Sequence, residues 1–279
     1  MIVDSHQHFW DPSRGDYGWL EPGSPLYRGF QPDDLLPLLR KVEVEATILV
    51  QAAATPAETD YLLQLARPRA WILGVVGWVD LSAADAPVQL AARAREPRFV
   101  GVRPMLQDLS DPAWILKDEV SAGLQAMQSE GLVFDALIRW RQLPMIIELA
   151  ERYETLSMVL DHAGKPPFGD RSVWRDWETQ ISRLARQPNV ACKLSGLLTE
   201  VPGSCEKLWV DRCVDTVLDH FGPERILWGS DWPVATLAVE YADWLHYCQE
   251  YIRQRCPTYE DAVFGGNAQR IYGVACMGF

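Results

Sequence analysis

Short runs of β-branched and apolar residues alternate along the chain with amphipathic stretches of helical period, and most of the runs end on a polar residue. The strand candidates are Ile2–Gln7, Ala46–Gln51, Trp71–Val79, Phe99–Pro104, Phe134–Arg139, Ser157–His162, Val190–Ser195 and Ile226–Asp231. A helix-like segment follows each of them. Eight such pairs predict an α/β protein, a (β/α)8 TIM barrel forming one domain over residues 1–279. A doubly wound open sheet is the alternative, but no GxGxxG follows the first run.

Boundary signals agree with this rhythm. Thr55-Pro56-x-Glu58 reads as a capping threonine, a proline at the first helical position and a glutamate closing a capping box. Ser82 with Asp85 reads the same way, and Gly131 and Gly222 fall where helices should end. One stretch breaks the pattern: residues 11–31, DPSRGDYGWLEPGSPLYRGFQ, are rich in Gly, Pro and aromatics and have no period. A loop of this length directly after the first strand is expected to lie over the barrel mouth as a lid. Trp10, Tyr17 and Trp19 would then offer flat apolar surfaces suited to a sugar ring or a planar lactone.

Composition narrows the classes of partner. The net charge of -12 and the lack of a basic cluster exclude a phosphate-backbone partner, so no nucleic acid is expected. The longest apolar run, residues 70–79, holds two glycines and is too short to span a bilayer. No basic n-region precedes the first strand, which argues against secretion. Six cysteines, all in the last third and without CxxC spacing, read as reduced thiols and point to a cytoplasmic protein.

Chemistry in such a barrel gathers at the C-terminal ends of the strands, so the residues ending each run carry the argument. In Ile2–Trp10, IVDSHQHFW, strict alternation puts Asp4, His6 and His8 on one face and Val3, Ser5 and Gln7 on the other. Two converging imidazoles can hold a divalent cation or a water molecule. Asp231 ends the eighth run in ILWGSDWPV, and closure of the barrel brings it to His6 and His8. There it can ligate a metal, take a proton from water, or do both. His162 ends the sixth run. His220 and His246 fall within helical patterns and read as ordinary helix residues. With three strand-end histidines, and with Arg139 and Trp140 after the fifth run, one metal ion is the most the chain can hold.

These residues resemble the amidohydrolase superfamily, and within it the branch that includes sugar-acid lactonases and 2-pyrone-4,6-dicarboxylate lactonase. The likeness rests on seven ordered motifs: DSHQHFW at 4–10, YGWL at 17–20, GVRPML at 101–106, LDHAGKP at 160–166, KLSG at 193–196, WGSDWPV at 228–234 and FGGNAQRIYG at 264–273. It implies an enzyme opening a sugar-acid lactone, an aldonolactone such as L-fucono- or L-rhamnono-lactone. Asp231 would be general base, His162 would orient water or polarise the carbonyl, and His6, His8 and Asp231 would hold one dispensable divalent ion, zinc. Arg103, Arg139, Lys165 and Trp232 join Trp10, Tyr17 and Trp19 as candidate substrate contacts, arginine's forked donors suiting a carboxylate. Arg103 stands where the wider superfamily has a bridging lysine or glutamate. A metal-dependent decarboxylase would need the histidine missing after the fifth run. A catalytically inactive sugar-acid binder would not need Asp231.

Overall fold

The structure, a computed structural model, describes residues 1–202 and 207–275. Cys205 and Cys276 lie outside the described residues; Cys192, Cys213, Cys248 and Cys256 are unpaired thiols. Eight parallel strands form one sheet in sequential order: β1 (Ile2–Gln7), β2 (Val44–Val50), β3 (Ile72–Gly77), β4 (Phe99–Val102), β5 (Val133–Ala136), β6 (Met158–Leu160), β7 (Val190–Leu194) and β8 (Ile226–Trp228). Around them run α1 (Pro32–Lys41), α2 (Pro56–Ala66), α3 (Ala86–Ala94), α4 (Asp118–Ser129), α5 (Leu143–Arg152), α6 (Arg171–Leu184), α7 (Leu197–Glu200), α8 (Lys207–Phe221), α9 (Tyr241–Arg255) and α10 (Asn267–Tyr272). No helix among the described residues is long and apolar enough to cross a membrane.

Two apolar layers build the barrel. Each strand sends a residue into an inner cluster containing Val3, Ile48, Leu73, Val100, Val133, Val159, Ala191 and Leu227, against which Ala268 and Tyr272 of α10 pack. The larger outer cluster lies between sheet and helices and includes Leu62, Leu90, Leu124, Ile146, Trp177 and Val217. Fully burying side chains of this kind contributes about 1.5–3 kcal/mol each.

The strands end earlier than the polar residues of the sequence pattern suggest. Gln51, Arg103 and Asp161 follow their strands directly, and Asp231 stands three residues beyond β8. The polar groups thus occupy the first turns of the βα loops, where the ladder no longer dictates their direction. Closure between β8 and β1 depends on one such turn. The Asp231 N–H donates to the His6 carbonyl at 2.8 Å, and the His8 N–H to the Trp232 carbonyl at 2.8 Å.

Alternation fails once in β1. A register shift between Asp4 and Gln7 keeps His6 facing inward with Val3 and turns Asp4 to the other side, toward α9. Asp4 Oδ1 accepts from the His6 and Ser230 backbone N–H groups at 3.1 and 2.8 Å, and Oδ2 accepts from the Tyr241 hydroxyl at 3.0 Å. It is therefore a clamp on the β1–β8 seam, with burial raising its carboxyl to about 6 against these hydrogen bonds.

Helix starts also differ in detail. Thr55 caps α2 by accepting from the Glu58 N–H at 3.0 Å, but the Glu58 carboxylate turns inward instead of closing the box. Asp85, not Ser82, precedes α3; Ser82 bonds to Asp80 instead. Gly131 and Gly222 follow α4 and α8 at positive φ. His220 and His246 lie on α8 and α9.

Candidate active site

The turn after β8 and the end of β1 build one tight cluster. His6 Nε2 and His8 Nε2 stand 3.2 Å apart, and Asp231 Oδ1 lies 3.5 Å from the first and 3.3 Å from the second. The Val50 carbonyl accepts from His8 Nδ1 at 2.8 Å, which turns His8 Nε2 toward Asp231. Three acceptor atoms pointing at one spot ask for a cation or a shared proton.

Their spacing tests the fit of a metal. Ligands about 2.0–2.1 Å from a tetrahedral ion stand about 3.3–3.4 Å from one another. The triangle of 3.2, 3.3 and 3.5 Å has that size and the right donor types. His6, His8 and Asp231 thus fit one divalent ion. A second group, His6 with Asp161 and His162, is already served by protein cations. Arg103 Nη1 lies 3.2 Å from Asp161 Oδ2 and 3.4 Å from His6 Nε2. Lys193 Nζ lies 3.1 Å from Asp161 Oδ1 and 3.3 Å from His6 Nδ1.

Local backbone strain aims the remaining groups. Asp231 and His162 adopt left-handed backbone at φ of 59° and 53°, conformations that non-glycine residues hold at some cost and that concentrate at functional sites. Gly196 lets them approach: a Cβ there would sit 2.5 Å from His162 Nδ1 and 2.8 Å from Asp231 Oδ2. Ser195 Oγ lies 2.9 Å from His162 Nδ1 and fixes the ring.

The titration of these groups follows from burial and neighbours. Burial pushes the Asp231 carboxyl up, but His162, His8 and His6 outweigh it and hold the carboxyl well below the usual carboxylate range. Burial lowers His6 and His162 below the ordinary imidazole value against the raising effect of nearby carboxylates. The site therefore pairs an ionised carboxylate with neutral imidazoles at neutral pH.

A cleft of about 240 Å³ opens onto this cluster. His8, His162, Asp231 and Arg103 line its floor, with Trp10 and Trp19 on its wall and Lys165 at its edge. Lys165 Nζ is paired with Glu200 at 2.7 Å. The other three candidate contacts lie outside the cleft. Tyr17 is buried in the core, Trp232 packs its ring on Phe9 and Phe30, and Arg139 is exposed where its backbone N–H meets the Gln142 side chain ahead of α5. Met105, Gln107, Leu137 and Thr199 also line the cleft. These and Gly196 carry no candidate role in the sequence pattern, and only Met105 and Gly196 of them fall within GVRPML and KLSG, whereas Asp161 and Ser195 stand at the polar ends of their runs.

Known proteins resemble this chain in sequence and in fold. The amidohydrolase family model covers residues 3–274. An L-fucono-1,5-lactonase of Burkholderia ambifaria is 44% identical over 98% of this chain and 95% of its own length. An L-fucono-1,5-lactonase of Burkholderia multivorans is 38% identical over 98% and 96%. A crystal structure of a Burkholderia multivorans amidohydrolase with bound zinc superposes with a TM-score of 0.93 at 36% identity, covering 99% of this chain and all of that one. On fold, on the strand-end cluster and on these matches, the chain belongs to the amidohydrolase family.

Proposed function

We propose that this chain is a lactonase that hydrolyses a sugar-acid lactone, with an aldono-1,5-lactone of the L-fucono type as its substrate. The observation that carries the reading is the convergence of Asp231 Oδ1 with His6 Nε2 and His8 Nε2 within 3.5 Å at the floor of a cleft with the Trp19 indole on its wall. The two curated L-fucono-1,5-lactonase relatives, matched over nearly their whole length, support the same reading.

In this reading the lactone ring stacks on Trp19, which the buried Trp10 ring supports edge-on at 5.2 Å, beneath a lid formed by residues 11–31. Its carbonyl oxygen turns to Arg103 and His162. A water beside His6 and His8 gives a proton to Asp231 as its oxygen bonds to the carbonyl carbon. Guanidinium and imidazole donors stabilise the oxyanion, each such contact contributing about 2.7–4 kcal/mol. The acyl carbon–ring oxygen bond then breaks, and Asp231 returns the proton to the departing ring oxygen. Lys165 sits where it can meet a substrate hydroxyl. Tyr17, Arg139 and Trp232 act indirectly, shaping the lid and the loops behind the wall.

His6, His8 and Asp231 would hold one ion, which we read as zinc and which, when bound, supplies Lewis acidity to the water. The Arg103 guanidinium 3.4 Å from His6 Nε2 opposes tight binding, so we read the ion as dispensable. A cytoplasmic place in carbohydrate metabolism goes with the free thiols and the substrate class.

The test is acid release from L-fucono-1,5-lactone, followed with a pH indicator, with an aromatic carboxylic acid assayed for CO2 in parallel. Lactone opening without decarboxylation is expected, and chelation should leave most of the rate. Decarboxylation alone, or a thermal shift without turnover, would overturn the reading.

A further inference from the structure

Resting on the lactonase reading, we infer that Glu58 is a positioning residue whose buried carboxylate holds Ala52 and, through Ala52, the Trp19 wall of the substrate cleft. Glu58 Oε1 accepts from the Ala52 N–H at 2.9 Å, and Oε2 accepts from the Ala52 and Ala53 N–H groups at 3.2 and 2.9 Å. The Ala52 carbonyl in turn accepts from Trp19 Nε1 at 2.8 Å. Ala52 and Trp19 both line the cleft, whereas Glu58 itself is fully buried behind it.

Nothing in the helix start requires this arrangement. Thr55 already caps α2, and an ordinary capping glutamate would remain at the surface. Burying a carboxylate without a directly bonded cation is costly, and its backbone donors offset that only in part. A group kept under those conditions has a task its neutral analogue would do less well. Here the task is to fix two successive backbone amides of the loop after β2. That same loop and the first turn of α2 anchor the lid, since Thr55 Oγ1 donates to Asp16 at 3.3 Å and Arg14 Nη2 donates to the Ala57 carbonyl at 3.1 Å.

Titration adds a second handle. Burial is the main cause that raises the Glu58 carboxyl to about 7, against the Ala52 and Ala53 N–H groups and Arg103, with Asp16 adding to the rise. Tyr17 of the lid and Tyr61 of α2 are the other titratable groups facing it. A protonated Glu58 loses acceptor strength toward the loop, so the wall should loosen as pH falls through about 7.

The test is steady-state kinetics of the full chain on L-fucono-1,5-lactone. E58Q should raise KM at least fivefold and leave kcat within twofold. W19F, which keeps an aromatic ring but removes the indole N–H, should raise KM as well. The E58Q/W19F double variant should be no worse than E58Q alone, because both break one chain of contacts. In the wild type KM should rise between pH 8 and 6, and in E58Q it should be flat. A wild-type KM in E58Q, additive effects in the double variant, or a wild-type KM independent of pH overturns the assignment. Peptide-level hydrogen exchange separates this from failure of the functional reading. Even if the wild type opens no lactone, residues 50–60 should exchange faster in E58Q with the rest of the barrel unchanged, and unchanged protection there overturns the role of Glu58.

Discussion

Two clusters of charge share His6 and behave in opposite ways. At the barrel mouth, His6 Nε2, His8 Nε2 and Asp231 Oδ1 face one another within 3.5 Å, and His8 and Asp231 open onto the cleft. Below them, Lys193 Nζ sits 2.5 Å from Asp135 and 3.1 Å from Asp161, the Tyr272 hydroxyl donates to Asp135, and Arg103 pairs with Asp161. In the lower cluster two carboxylates meet two cations, and Lys193, Asp135 and Asp161 are fully buried. The upper one has an excess of acceptors and access to substrate. Ionisable residues in a barrel interior therefore do not mark chemistry by themselves. Unsatisfied demand for a proton or cation, at a surface a ligand can reach, does.

Asp231→Asn should break the upper cluster outright. The amide keeps the shape but cannot take a proton from water, so kcat should drop about 10²–10⁴-fold while the protein still folds. Acid release and thermal unfolding measure both; a rate within tenfold of wild type would remove Asp231 from the mechanism. Lys193→Met should do the reverse, leaving Asp135 and Asp161 buried beside too little positive charge. A loss of about 3–5 kcal/mol in denaturant-induced unfolding is expected. D135N/K193M should regain part of it.

Arg103 belongs to both clusters, so its substitution sharpens the boundary. Arg103→Lys keeps the charge but loses the fork that reaches the Gln51 carbonyl, Asp161 and the cleft at once. A fall in kcat/KM of about tenfold to a hundredfold, equal to about 1.4–2.7 kcal/mol, is expected with a smaller stability change than for K193M. The mildest effect is that of pH on kcat. His6 and His162 are held below the ordinary imidazole value and Asp231 below the ordinary carboxylate value, so the charge changes of these three groups are displaced toward lower pH. A kcat constant within about twofold from pH 8 to 6.5 is expected, since the acid and base forms in use stay populated. A steep loss centred near the ordinary histidine value would contradict the burial argument.

Much of this was legible in the chain itself. Eight apolar runs with helices between them specify the strand order, and closure alone carries Asp231 to the histidines across more than two hundred positions. What stayed hidden depends on register and loop direction. Strict alternation puts Asp4 beside His6, because a register shift against β2 leaves no trace in β1's own pattern. Thr55-Pro56-x-Glu58 has the letters of a capping box, and the inward turn of Glu58 is decided by amides that only the folded loop presents. Tyr17, Arg139 and Trp232 have suitable chemistry and lie beside the right motifs, but a side chain one turn further along a βα loop faces away from the cleft. Lys193 ends an apolar run like any strand-end residue, and only the barrel interior shows that it meets two carboxylates.

The central claim is that Asp231 takes a proton from an attacking water and forms no bond to the substrate. Isotope placement tests it most directly: the wild-type enzyme is allowed several turnovers of L-fucono-1,5-lactone in water enriched in oxygen-18, and the product and the Asp231-containing peptide are weighed by mass spectrometry. One heavy oxygen in the new carboxylate of the product, none in its freed ring hydroxyl and none in Asp231 is the expected result. Heavy oxygen in the Asp231 side chain would mean an acyl-enzyme, and the account of the site would be wrong.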